Sequence, residues 1–141
     1  MKTSKKGIDL IKKFEGFRAS TYICPAGILT IGYGHTNNVR LGDFCSEMQA
    51  EQYLKEDLEI AENELNKMQD LNQNQFDALA SFIFNLGVRN FQKSTLRTEI
   101  LKGASEAAIR SEFGRWVYAG GKVSKGLQAR RKAEADLFFT I

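Results

Sequence analysis

Apolar residues recur at Ile8, Leu10, Ile11 and Phe14, one stripe of a helix, and Gly16 stands where a helix commonly stops. Glu15 is thereby placed at a helix C-terminus. The period then changes. Pro25-Ala26-Gly27 is a turn signal and the run Ile28-Leu29-Thr30-Ile31-Gly32-Tyr33-Gly34 has β character, so residues 22–35 predict a short hairpin or small sheet. Ser46 followed by Gln49 reads as a capping box, after which Ala50, Tyr53, Leu54, Leu58, Ala61, Leu65 and Met68 recur every three or four residues. This predicts one long amphipathic helix, with Glu51, Lys55, Glu59 and Glu62 on its wet side. Residues 76–86 are apolar on most faces and stop at Gly87, as a buried central helix should. Helical patterns also run through 91–101, 104–116 and 127–138, parted by Gly103 and by Ala119-Gly120-Gly121.

The implied class is α+β: a small N-terminal lobe with a β-hairpin, a long connecting helix and a larger all-α C-terminal lobe. With 141 residues, 43% of them apolar, the chain can bury one ordinary core. A single domain of residues 1–141 is expected, with lobes of roughly 1–60 and 61–141 and a cleft between them. Twenty basic against 17 acidic residues leave a net charge of +3, which favours anionic polymers without naming one. No nucleic-acid motif accompanies it, so the charge reads as a solvated surface. Cys24 and Cys45 are too few for a disulfide scaffold, and no Cys/His spacing resembles a metal site. No stretch approaches the ~20 apolar residues of a membrane span. The basic start of the chain is followed not by an apolar signal segment but by Asp9, Lys12, Lys13 and Glu15, so no export signal is expected.

Glu15 ends a helix, while Cys24 and Thr30 flank the turn on opposite arms of the predicted hairpin, so the three can converge on one cleft. Counting by twos puts Ile28, Thr30, Gly32 and Gly34 on one strand face. Two glycines there suggest close approach of a ligand, and a flat sugar suits the space. A helix C-terminus disfavours negative charge and pushes Glu15 toward the protonated state a general acid needs. Each residue also has a plainer reading. Glu15 can be a solvated carboxylate, Cys24 a small buried hydrophobe and Thr30 an ordinary strand residue, while His35 is expected in a structural hydrogen bond.

Three segments taken together are more specific: Glu15-Gly16-Phe17-Arg18, Tyr22-Ile23-Cys24-Pro25-Ala26-Gly27 and Leu29-Thr30-Ile31-Gly32-Tyr33-Gly34-His35-Thr36. In order and spacing they resemble the active-site region of the phage-type lysozymes, the T4- and P22-like muramidases of glycoside hydrolase family 24. The family pattern is a glutamate, eight residues, an aspartate or sometimes cysteine, five residues and a threonine. The resemblance continues through Leu71-Asn72-Gln73-Asn74-Gln75-Phe76, Phe84-Asn85-Leu86-Gly87, Ser94-Thr95-Leu96, Arg115-Trp116 and Gly126-Leu127 to Arg130-Arg131-Lys132-Ala133-Glu134.

What the resemblance implies is a lysozyme-like fold and cofactor-free hydrolysis of the β-1,4 bond between N-acetylmuramic acid and N-acetylglucosamine in peptidoglycan. Carried over position by position, Glu15 protonates the leaving oxygen while Cys24 and Thr30 orient the attacking water. Sugar contacts fall on Thr36, Phe84, Ser94 and Arg110. The core and a helix cap are the plainer readings of Phe84 and Ser94. A free thiol is mostly protonated near neutrality, so either the site lowers the pKa of Cys24 or Cys24 and Thr30 simply hold the water. The family context further implies a monomeric endolysin made in the host cytoplasm and released to the wall through a holin. Two other readings stay open: a lytic transglycosylase, and a catalytically dead peptidoglycan-binding domain.

Overall fold

The computed structural model describes residues 1–141. Helix α1 (Lys5–Glu15) buries Ile8 and Ile11, and Gly16, at φ 72°, ends it by donating its N–H to Lys12 O at 2.9 Å. Strands β1 (Arg18–Ile23) and β2 (Leu29–Gly32) form an antiparallel hairpin in which Tyr22 faces Thr30 and Ile23 faces Leu29. Its turn closes through Gly27 N–H to Cys24 O at 2.8 Å and Cys24 N–H to Ile28 O at 3.0 Å. Phe44 adds a bridge to Ser20 at the outer edge.

Helix α2 (Glu47–Asp57) is capped by Ser46, whose hydroxyl accepts from Gln49 N–H at 3.1 Å. The full reciprocal box forms instead at Asn72 and Gln75, at the head of α4 (Gln73–Leu86). The single long helix expected over 50–68 is two: α2 stops at Asp57, Leu58 relaxes to ψ −13°, and α3 (Glu59–Leu65) continues. The apolar stripe survives the break, since Leu54, Leu58, Ala61 and Leu65 are all buried. Periodicity reports which face is buried and is blind to a one-residue hitch in the backbone.

Helix α4 is the central helix that its composition predicts, with Phe76, Leu79 and Phe82 fully enclosed, and it packs against α1, α3 and the last helix, α8 (Lys125–Phe138). Helix α1 packs on both α4 and α8. The pattern over 91–101 is also split, into α5 (Val88–Lys93) and α6 (Thr95–Leu101), by an extended Ser94. Helix α7 (Glu106–Phe113) is shorter than its pattern. The glycine pair beyond it, both residues at positive φ, turns a small hairpin between β3 (Tyr118–Ala119) and β4 (Lys122–Val123). Rings of Phe91, Phe113 and Trp116 meet Phe82 edge-on, the packing their quadrupoles favour. No helix is long and apolar enough to cross a membrane.

Candidate active site

A cleft of about 900 Å³ runs between the end of α1, the turn after β2, the α2–α3 junction and the end of α4. Glu15, Gly34, His35, Thr36, Asp57 and Phe84 are among its walls. Glu15 reaches it because Gly16 stops α1 at that point. Its two carboxyl oxygens have different surroundings. Oε2 accepts from Arg130 Nη1 at 2.6 Å, whereas Oε1 has no protein donor and lies over Gly34, where a Cβ would stand 3.2 Å away.

The glycines on the Thr30 face admit groups of the protein itself. Gly32 makes room for Ala50 and for the Cys45 sulfur, and Gly34 makes room for Glu15 itself. Close approach is the right inference from them; the approaching groups are the protein's own.

Arg130 is the functional residue that sequence reasoning missed. It is only 4% exposed and is held by Glu134 Oε2 at 3.4 Å, by Ser81 O at 3.3 Å and by Glu15. Ser81 in turn donates to Glu134 at 2.6 Å. Arg131 lies beside them, its Nε 3.1 Å from Glu134 Oε1 and its Nη2 donating to Asn85 Oδ1 at 2.5 Å. Burial lowers Arg131 to about 10 and holds the Glu134 carboxyl above its ordinary range, against the pull of both arginines. The contact of Arg130 with Glu15 joins residues 115 apart and is invisible in local sequence. A signal for it did exist: two adjacent arginines with a glutamate three and four residues on.

Cys24 and Thr30 stand on the hairpin beside this cleft rather than in its lining. Tyr22, paired across the hairpin with Thr30, has its phenol pKa raised chiefly by burial and further by the charge of Glu15. The thiol is half-exposed, and its pKa is lowered chiefly by a hydrogen bond with the backbone at Ile28 and further by the Thr30 hydroxyl. Thr30, 2% exposed, has one hydroxyl hydrogen and two acceptors in reach, Ile28 O at 2.8 Å and the Cys24 sulfur, and serves one at a time. Cys24 is thus no buried hydrophobe. Cys45 is, packed on Gly32 with its pKa raised by burial, and both thiols are free. Iodoacetamide should consequently modify Cys24 in the native protein with a pH midpoint below that of free cysteine, while Cys45 reacts only on unfolding. Mass mapping across a pH series checks this, and a Cys24 midpoint at or above the free value would refute it.

His35 makes the structural hydrogen bond expected of it: Nδ1 lies 2.8 Å from Asp57 Oδ2, and the ring stacks on Tyr53 at 4.1 Å. Burial raises the Asp57 carboxyl, with His35 pulling the other way. Thr36 and Phe84 do line the cleft. Ser94 and Arg110 do not. Ser94 caps α6, accepting from Arg97 N–H at 3.1 Å and donating to Phe91 O at 2.6 Å. Arg110 is engaged on another face by Glu106 at 2.8 Å and Asp136 at 2.7 Å.

The Phage lysozyme family model matches residues 12–134. The chain belongs to the phage lysozyme family. Like other phage lysozymes it is a glycoside hydrolase that degrades peptidoglycan, the endolysin activity that lyses the host. It is 42% identical to the endolysin of Acyrthosiphon pisum secondary endosymbiont phage 1 over 98% of each chain. Among solved structures, a P22 lysozyme mutant superposes with a TM-score of 0.89 at 35% identity, covering 99% of both chains. The muramidase domain of SpmX from Asticaccaulis excentricus gives 0.92, also at 35% identity and 99% coverage of both. This phage lysozyme thus has the α+β architecture, N-terminal hairpin and helical C-terminal part of its relatives.

Proposed function

We propose that Glu15 is the proton donor that cleaves the β-1,4 bond from N-acetylmuramic acid to N-acetylglucosamine, and that Cys24 and Thr30 hold the attacking water. The observation that carries this reading is the asymmetry of the Glu15 carboxyl. Arg130 fixes Oε2, so the remaining oxygen, Oε1, lies over Gly34 on the cleft wall without a protein partner, the oxygen from which a proton would be passed to substrate. Departure of the protonated glycosidic oxygen leaves an oxocarbenium-like sugar, which water from the hairpin side captures. No second carboxylate stands on the hairpin to form a glycosyl-enzyme, so the displacement is single and inverts the anomeric carbon. Cys24 and Thr30 act by position: the sulfur, whose pKa its own hydrogen bonds lower, accepts one hydrogen of the water, and the buried hydroxyl fixes the second.

Thr36 and Phe84, on the cleft wall, are the sugar contacts in this reading, one through a hydroxyl and one through a ring face. The enzyme acts as a monomer and reaches the wall after release from the cytoplasm through a holin. Mass spectrometry of fragments released from purified peptidoglycan tests the chemistry. Reducing-end muramic acid is expected. A 1,6-anhydro end would establish transglycosylation instead, and no released fragment would establish a binding domain.

A further inference from the structure

Tyr22 lies in the same segment as Cys24, yet the chemistry above gives it no part. Three features single it out. It sits directly across the ladder from Thr30, and two residues before Cys24, so Tyr22, Cys24 and Thr30 share one face of the hairpin. Its ring is clamped by the Arg18 guanidinium, 4.4 Å from the centroid, across the bulge that interrupts β1 between Arg18 and Tyr22. The residue is half-buried, and its hydroxyl makes no hydrogen bond within the protein. Its hydrogen is therefore free for a water.

The hydrogen-bond inventory of the water-holding pair shows what is missing. Thr30 gives its only hydrogen to Ile28 O or to the thiol, and the hydrogen bonds around Cys24 favour its thiolate form, so both act as acceptors toward a water. A water that donates both hydrogens to them has two lone pairs left. One must face the anomeric carbon, and the other needs a donor if the molecule is not to rotate about its two bonds. We propose that Tyr22 is a positioning residue for the hydrolytic water, donating its phenolic hydrogen to the lone pair that does not attack. This rests on the reading that Cys24 and Thr30 hold that water. Burial raises the pKa of the phenol, so the hydroxyl keeps its hydrogen over the working range.

Tyr22→Phe tests this with little structural cost, since the ring and its stack on Arg18 are retained. The expected result is a fall in kcat of about tenfold or more, the equivalent of one lost hydrogen bond in the transition state, with KM for peptidoglycan fragments and Tm unchanged. A merely structural tyrosine would not couple to the water. The decisive readout is therefore the double variant Tyr22→Phe/Thr30→Ala, expected to be scarcely slower than Thr30→Ala alone because the same water is already lost. Unchanged kcat in Tyr22→Phe, a loss confined to KM, or losses that multiply in the double variant would each overturn the proposal. A Thr30→Ala enzyme at full speed would bring down the water-holding reading itself, and this proposal with it. A slow Thr30→Ala beside an unaffected Tyr22→Phe would remove Tyr22 alone.

Discussion

Glu15→Gln is expected to reduce turnover of purified cell walls by about a thousandfold or more while the protein folds and binds the wall as before. The amide keeps the shape of the carboxyl, and its oxygen can still accept from Arg130, whose other partners, Glu134 and Ser81, are untouched. In the proposed reaction the amide has no proton to transfer, and general acid catalysis of this kind contributes ~10² to 10⁴ in rate. Turbidity clearance gives the rate, and circular dichroism with a pull-down on insoluble peptidoglycan shows that fold and binding persist. Residual turnover above about a tenth of the parent's would remove Glu15 from the proton-donor role.

The largest stability effect is expected at Arg130. Replacing it with Met leaves the Glu134 carboxylate inside the helical lobe with only Arg131 and the Ser81 hydroxyl against it, and leaves Glu15 without its anchor. Breaking a buried ion pair by removing one partner costs about 3–5 kcal/mol, read here as a fall in the urea midpoint. The cost should depend on pH in a definite sense. Glu134 in the folded protein already binds its proton more tightly than in the unfolded chain, because burial raises it. Removing Arg130 takes away a charge that opposes this shift, so the folded variant holds the proton more tightly still. The deficit relative to the parent is then smallest at acid pH and grows as pH rises from the parent's folded Glu134 value, already above the ordinary carboxylate range, toward the still higher folded value of the variant. Arg130→Met combined with Arg131→Met and Glu134→Met should recover much of the loss, since apolar replacement of all three members of the cluster leaves no stranded charge. A deficit independent of pH, or no recovery in the triple variant, would show that Arg130 stabilises by packing alone. Activity separates the two effects: the recovered triple variant regains stability but not turnover, because Glu15 stays unanchored.

Much of this molecule is legible along the chain because its cues are local. Gly16, Pro25-Gly27 and Gly87 act through their own backbone preferences, so the end of α1, the hairpin and the end of α4 fall where the residues put them. The spacing of Glu15, Cys24 and Thr30 is likewise a property of one short segment, which is why the family was recognisable from it. What depended on distant residues was not legible. The hitch at Leu58 and the extended Ser94 leave the apolar period intact and so leave no trace in it. The two glycines after Thr30 announced a close approach without saying that Ala50, Cys45 and Glu15 would make it. Arg110 and Arg130 are equally charged letters in the sequence, yet one lies in surface ion pairs and the other holds the Glu15 carboxyl from 115 residues away. Charge carries no period, and whether an arginine is solvated or enclosed is decided only when α8 packs against α1 and α4.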